Sequence, residues 1–97
     1  METPTIKVIK GKAEPIFAKH RITKAGVFGS IAKGKATSNS DVDILIELGE
    51  KISLLEFVAI KLELEDLLGM KVDLVEYQAI KPRLKKRILG EEVRIYG

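Results

Sequence analysis

Eight residues constrain the fold of this chain more than any others: Asp41-Val-Asp-Ile-Leu-Ile-Glu-Leu48. Asp41 and Asp43 alternate with Val42, Ile44 and Ile46, and such alternation predicts a β-strand over 41–48. On a strand, residues i and i+2 point to one side, roughly 6.5 Å apart. Both carboxylates therefore share one face, and the branched apolar residues fill the other. Two like charges without partners are costly to bury. The acidic face is thus either solvated or built to meet a cation.

The flanking sequence supplies the layers such a strand needs. Ile6, Ile9, Ala13, Ile16 and Phe17 recur at helical spacing and predict a helix over 3–20. Gly11 and Pro15 interrupt that pattern and predict a kink or two shorter helices. His20 and Arg21 fall near its end, where cations suit the helix dipole. Residues 25–28, Ala-Gly-Val-Phe, read as a short buried strand ended by Gly29. A helical turn over 30–35 and a polar loop over 36–40 follow. Ser53-Leu54-Leu55-Glu56 is a capping box. It opens a helix that Gly69 stops, with Leu54, Leu55, Val58, Leu62, Leu67 and Leu68 as its apolar stripe. Residues 71–77 form a third strand. Pro82 suits the first turn of a last helix through Leu89, closed by Gly90, and 92–96 a fourth strand. Strands alternating with helices imply an α/β fold, an α+β sandwich: a small mixed sheet of three to four strands with helices packed on it.

Ninety-seven residues fit one domain, 1–97, and leave little room for a second that would hold a substrate. The absence of cysteine excludes a disulfide framework and a thiolate metal site. No apolar run is long enough to cross a bilayer and no signal peptide opens the chain, so no membrane partner and a cytoplasmic location are expected. The net charge of +3 suits an anionic ligand but falls short of a nucleic-acid binder's footprint. Lys-Pro-Arg-Leu-Lys-Lys-Arg at 81–87 reads as the solvated face of an amphipathic helix whose Leu84, Ile88 and Leu89 turn inward.

The chemistry concentrates around the second strand. Gly29-Ser30, at a strand-to-helix turn, would present free backbone N–H groups to a phosphate. Glycine lets a ligand approach the backbone, the Ser30 hydroxyl adds a donor and Lys33 adds charge. For a lone Gly-Ser, an ordinary strand-to-helix turn is by far the commoner explanation. Asp73, in Lys71-Val-Asp-Leu-Val75, repeats the anomaly of an acid inside an apolar strand. If the two strands are neighbours, Asp73 can lie beside Asp41 and Asp43; otherwise it is a strand-edge acid paired with a lysine such as Lys71. Three such carboxylates facing the turn would form a two-metal phosphoryl-transfer site. The Gly29-x4-Gly34-Lys35 spacing nearly spells a P-loop, but Ala36 stands where that motif needs the hydroxyl of Ser or Thr.

Gly29-Ser30, ten residues, then Asp41-Val42-Asp43 resembles the GSx10DxD signature of the DNA polymerase β-like nucleotidyltransferase superfamily. Within it, the chain resembles the minimal nucleotidyltransferases, the MNT-type antitoxins. "FGSIAKG", "SNSDVDILI", "GMKVDLVEY" and "IKPRLKKRILGEEVRIY" match that group's segments from about residue 6 to the end. The resemblance implies the polymerase β-like fold and transfer of AMP from ATP to a hydroxyl of a partner protein. For the antitoxins the partner is a HEPN-domain toxin, modified on tyrosine. It implies Mg²⁺, two ions, held by Asp41, Asp43 and Asp73, with Asp73 also the base. Gly29, Ser30 and Lys33 are implied to hold the nucleotide. Lys33 departs from the usual arginine of the pattern, and a lysine lacks the bidentate fork. The alternative is a catalytically weak nucleotide-binding module that neutralises its partner by stoichiometric binding. Exposed apolar positions on the last helix, or around Tyr77 and Tyr96, are candidates for the docking face, with core or ordinary surface as the equal alternative.

Overall fold

A computed structural model describes residues 5–37 and 39–97. The elements run α1 (Ile6–Lys19), β1 (Ile22–Phe28), α2 (Gly29–Ala32), β2 (Val42–Leu48), α3 (Leu54–Leu68), β3 (Val72–Glu76), a 3₁₀ turn (Tyr77–Ala79), α4 (Pro82–Glu91) and β4 (Val93–Tyr96).

Thr5 caps α1, its hydroxyl accepting from the Val8 N–H at 3.2 Å. Ile9, Ala13, Ile16 and Phe17 are buried along one side. The helix is continuous across Gly11 and Pro15, so it is not two helices. Pro15 deprives only the Gly11 carbonyl, four residues back, of its donor. Both residues are exposed, so water can take the donor's place. Residues 3 and 4 of the expected helix lie outside the described residues.

The four strands form one mixed sheet in the order β3-β2-β1-β4. β1 is antiparallel to β2 and β4, and β2 is parallel to β3. β1 begins at Ile22, three residues earlier than the apolar run suggested. Its polar start is paired with Glu47 of β2: Thr23 Oγ1 donates to Glu47 Oε1 at 2.8 Å, and Lys24 Nζ lies 3.6 Å from Glu47 Oε2. Those polar residues conceal a strand from any reading based on hydrophobicity.

α1 packs on β1 and β4, and α3 on β3. Phe17 of α1, with Val27, Ile44 and Ile46 of the sheet and Ile60 and Leu64 of α3, forms the centre of this core. On the other sheet face, α4 meets β1 and α2. Leu84 and Ile88 of α4 are half-buried, but Leu89 is exposed rather than inward.

α3 is capped as expected: Ser53 Oγ accepts from the Glu56 N–H at 3.1 Å, and Gly69 ends the helix in the left-handed region at φ 67°. Of the expected stripe only Leu68 is buried. Ile60, Leu64 and Leu68 are buried, whereas Leu54 and Leu55 are 77% and 83% exposed. Val58, Leu62 and Leu67 are exposed too. The helix carries apolar residues on two sides, so spacing alone could not choose between them. No helix among the described residues is long and apolar enough to cross a membrane.

Candidate active site

Gly29 stands at the end of β1 with φ 74°, and the chain turns there into the four residues of α2. The turn closes through Lys33 N–H to the Gly29 carbonyl at 3.1 Å and Lys35 N–H to the Ser30 carbonyl at 2.9 Å. Positive φ favours glycine, and a second constraint reinforces it. A Cβ at position 29 would collide with Oδ2 of Asp43. The carboxylate therefore lies directly against the backbone of the turn.

Sheet register explains that contact. Phe28 of β1, Asp43 of β2 and Asp73 of β3 are partners in one row across three neighbouring strands. Residues opposite each other in register point to one face. Asp43 and Asp73 thus share the face that α1 and α3 leave uncovered, while Val42, Ile44, Val72 and Leu74 turn into the core. Asp41 lies one residue before β2 and is exposed. It is held there by the Val42 N–H, which donates to the Lys71 carbonyl at 2.9 Å.

The loop before Asp41 folds back on itself: Thr37 N–H donates to Ser40 Oγ at 2.9 Å, and Ser40 N–H to the Thr37 carbonyl at 3.0 Å. Ser38, within the expected loop 36–40, lies outside the described residues.

Electrostatics mark Asp43 as the unusual group. Burial, then the charges of Asp73 and Asp41, push its pKa from the ordinary 3.8 up to about 6. All three acids therefore share one electrostatic neighbourhood. Among the described residues, no three His, Cys, Asp or Glu side chains are gathered tightly enough to hold a metal ion as they stand. Asp73 makes no ion pair with Lys71 among the described residues, so the plain strand-edge pairing is not what holds it.

Lys33 follows α2, and its Nζ lies 2.9 Å from Oε2 of Glu91, near the end of α4. Sequence reasoning missed Glu91, because nothing local links it to the turn; only the packing of α4 against α2 brings them together. It also missed Glu92, which accepts from the Tyr77 hydroxyl and, at 3.1 Å, from Arg94 Nε. Burial and the Glu92 carboxylate push the Tyr77 hydroxyl's pKa well above its ordinary value. Lys24 Nζ sits 4.3 Å from the centre of the Tyr77 ring. Tyr96 packs on Phe17 with ring centres 5.5 Å apart. Both tyrosines that were candidates for a docking face are thus engaged within the fold.

The sequence profile described as "Polymerase beta, Nucleotidyltransferase" matches residues 11–97. A Methanocaldococcus jannaschii protein named as a protein adenylyltransferase is 48% identical over 88 residues, covering 91% of this chain and 95% of that protein. A solved minimal nucleotidyltransferase superposes with a TM-score of 0.79 at 33% identity, covering 96% of this chain and 98% of its own. A chain from the complex of a tri-AMPylated Shewanella oneidensis HEPN toxin with MNT antitoxin shares the fold. Its TM-score is 0.74 at 16% identity, over 96% of this chain and 73% of that one. With a profile match along nearly its whole length and two paired acids against a glycine turn, this chain belongs to the polymerase beta nucleotidyltransferase family and is a nucleotidyltransferase.

Proposed function

We propose that the protein transfers AMP from ATP to a hydroxyl of a partner protein, a tyrosine of a HEPN-domain toxin, and so acts as the antitoxin of that pair in the cytoplasm. The observation that carries the reading is the row Phe28–Asp43–Asp73, which sets two acids side by side against the Gly29 turn. The similarity to a protein named as a protein adenylyltransferase supports the class of acceptor. The shared fold of an antitoxin found with an AMPylated HEPN toxin supports the partner.

The donor set fits Mg²⁺. Carboxylates are hard oxygen ligands, and Mg²⁺ binds through one or two of them together with substrate phosphates. Burial, then the charges of Asp73 and Asp41, raises the Asp43 pKa to about 6, which suits a carboxyl set where a cation would sit. Asp41, Asp43 and Asp73 would hold the metal, two ions. When bound, Mg²⁺ neutralises the triphosphate and the leaving pyrophosphate.

The chain's own residues do the rest. The backbone at Gly29 and the Ser30 hydroxyl hold phosphate oxygens, with Lys33 as the nearby cation. Asp73, exposed on the sheet face, takes the proton of the acceptor hydroxyl. The acceptor oxygen forms a bond to the α-phosphorus as the bond from that phosphorus to its bridging oxygen breaks. Pyrophosphate leaves, and AMP remains on the acceptor.

Incubation of the HEPN-domain partner with ATP, Mg²⁺ and this protein should add one or more AMP masses to the toxin. Asp43→Asn should abolish the addition. A wild-type rate in that variant would show the assignment of the acids to be wrong.

One observation favours a second reading. Lys33 is already paired with Glu91, so its charge is partly satisfied without nucleotide. A binding module would inhibit the toxin at one-to-one stoichiometry in EDTA, with no ATP present.

A further inference from the structure

β3 is the outer strand of the sheet, and only β2 pairs with it among the described residues. The Val42 N–H donates to the Lys71 carbonyl, while Val42 itself is the register partner of Val72. In a parallel ladder that bond turns residues 71, 73 and 75 toward β2 and residues 72, 74 and 76 outward. The first outward donor is already used: the Val72 N–H donates to Glu65 Oε2 of α3 at 2.9 Å. The Leu74 N–H and carbonyl and the Glu76 N–H have no neighbouring strand to meet among the described residues. Backbone groups spaced in this way are matched by an extended peptide that adds as a further strand.

The side chains along this edge say what such a peptide carries. Residues in register point to one face of a sheet. The residue opposite Asp73 would therefore join the row Phe28–Asp43–Asp73 on the acidic face, whichever way the added strand runs. Its neighbour, opposite Leu74, would point the other way, toward α3. A groove of about 470 Å³ lies on that side of the edge, lined by Ile52, Leu54, Phe57, Leu74 and Ala79. Its lining suits an apolar side chain. The Glu65 carboxylate blocks the edge at Val72, so an added strand pairs along 74–76 and ends opposite Asp73.

Resting on the transfer to a protein hydroxyl argued above, we propose that the acceptor protein docks by adding an extended segment to the outer edge of β3. Its hydroxyl-bearing residue sits opposite Asp73, beside the carboxylate that takes its proton. The adjoining residue is apolar and fills the groove between β3 and α3.

Two variants of the full chain test the edge and the groove. Glu76→Pro removes an outward N–H, and the φ of −79° at Glu76 is one a proline ring adopts, so the strand is kept. Leu54→Asp places a charge at the exposed rim of the groove, in the first turn of α3, where an acid suits the helix dipole. With the HEPN-domain partner as acceptor, each should raise the KM for the partner roughly fivefold and leave the KM for ATP unchanged. Amide exchange followed by NMR reads the edge directly and needs no variant. The Leu74 N–H should exchange readily in the free wild-type protein and roughly tenfold or more slowly once the partner is added. A Leu74 N–H left unprotected by saturating partner overturns the proposal. So do folded variants that keep the wild-type KM for the partner. A wild-type chain that transfers no AMP yet gains protection at Leu74 would defeat the transferase reading and leave the β3 edge as the docking site.

Discussion

The carboxylate of Asp43 rests against the α-carbon of Gly29, so closely that a methyl group there would collide with its Oδ2. The Gly29 turn and the acidic row are therefore one unit, and a change in either moves the other.

Gly29→Ala tests that unity. The left-handed φ of 74° should cost about 1–2 kcal/mol in a residue with a Cβ. The collision adds a displacement of Asp43. A thermal melt should show the modest loss, while AMP transfer at a temperature where the variant is fully folded should fall by far more. Transfer reduced only in proportion to the folded fraction would separate the turn from the acids.

Asp43 makes stability depend on pH. Its folded pKa of about 6 lies above the ordinary 3.8, so the folded state binds the proton more tightly. The associated stability is fully present below 3.8 and is lost as pH rises through about 6. Solvent screening at this partly exposed carboxyl limits the effect to about 1 kcal/mol. In metal-free protein, Asp43→Asn should match the wild type near pH 3.5 and be the more stable at pH 8. Adding Mg²⁺ should raise the melting temperature of the wild type at pH 8 and leave Asp43→Asn nearly unmoved.

Asp73 is exposed and lacks an ion pair among the described residues, so its removal should be structurally mild. Asp73→Asn should melt within about 0.5 kcal/mol of the wild type. Loss of a general base should slow AMP transfer about 10²–10⁴-fold. Single-turnover rates with saturating ATP and partner measure it.

On the proposed reading, the Lys33–Glu91 pair competes with the triphosphate for one ammonium group. Glu91→Gln should cost less than about 1 kcal/mol of stability, as a partly exposed pair should. It should lower the KM for ATP several-fold, and Lys33→Ala should raise it. Lys33→Arg, with its bidentate fork, should bind the triphosphate more tightly than the wild type.

Much of this molecule is readable along the chain because the forces involved are local. Alternation in Asp41–Leu48 demands a one-sided strand, and the capping box at Ser53 and the glycine at 69 bound α3 through hydrogen bonds made within a few residues. The strand at 22–24 escaped notice because Thr23 and Lys24 are stabilised by Glu47 across the sheet, not by burial.

The sequence by itself determined which residues could be strands and helices, and that Asp43 and Asp73 would interrupt apolar strands. Only the tertiary structure decided which faces met. The parallel pairing of β2 with β3 put Asp43 beside Asp73, and the docking of α3 buried Ile60 and Leu64 while leaving Leu55 outside. The packing of α4 brought Glu91 to Lys33. Periodicity reports the existence of an apolar stripe, but burial is a property of two surfaces in contact, and a helix apolar on both sides is assigned its inner face only by what it packs against.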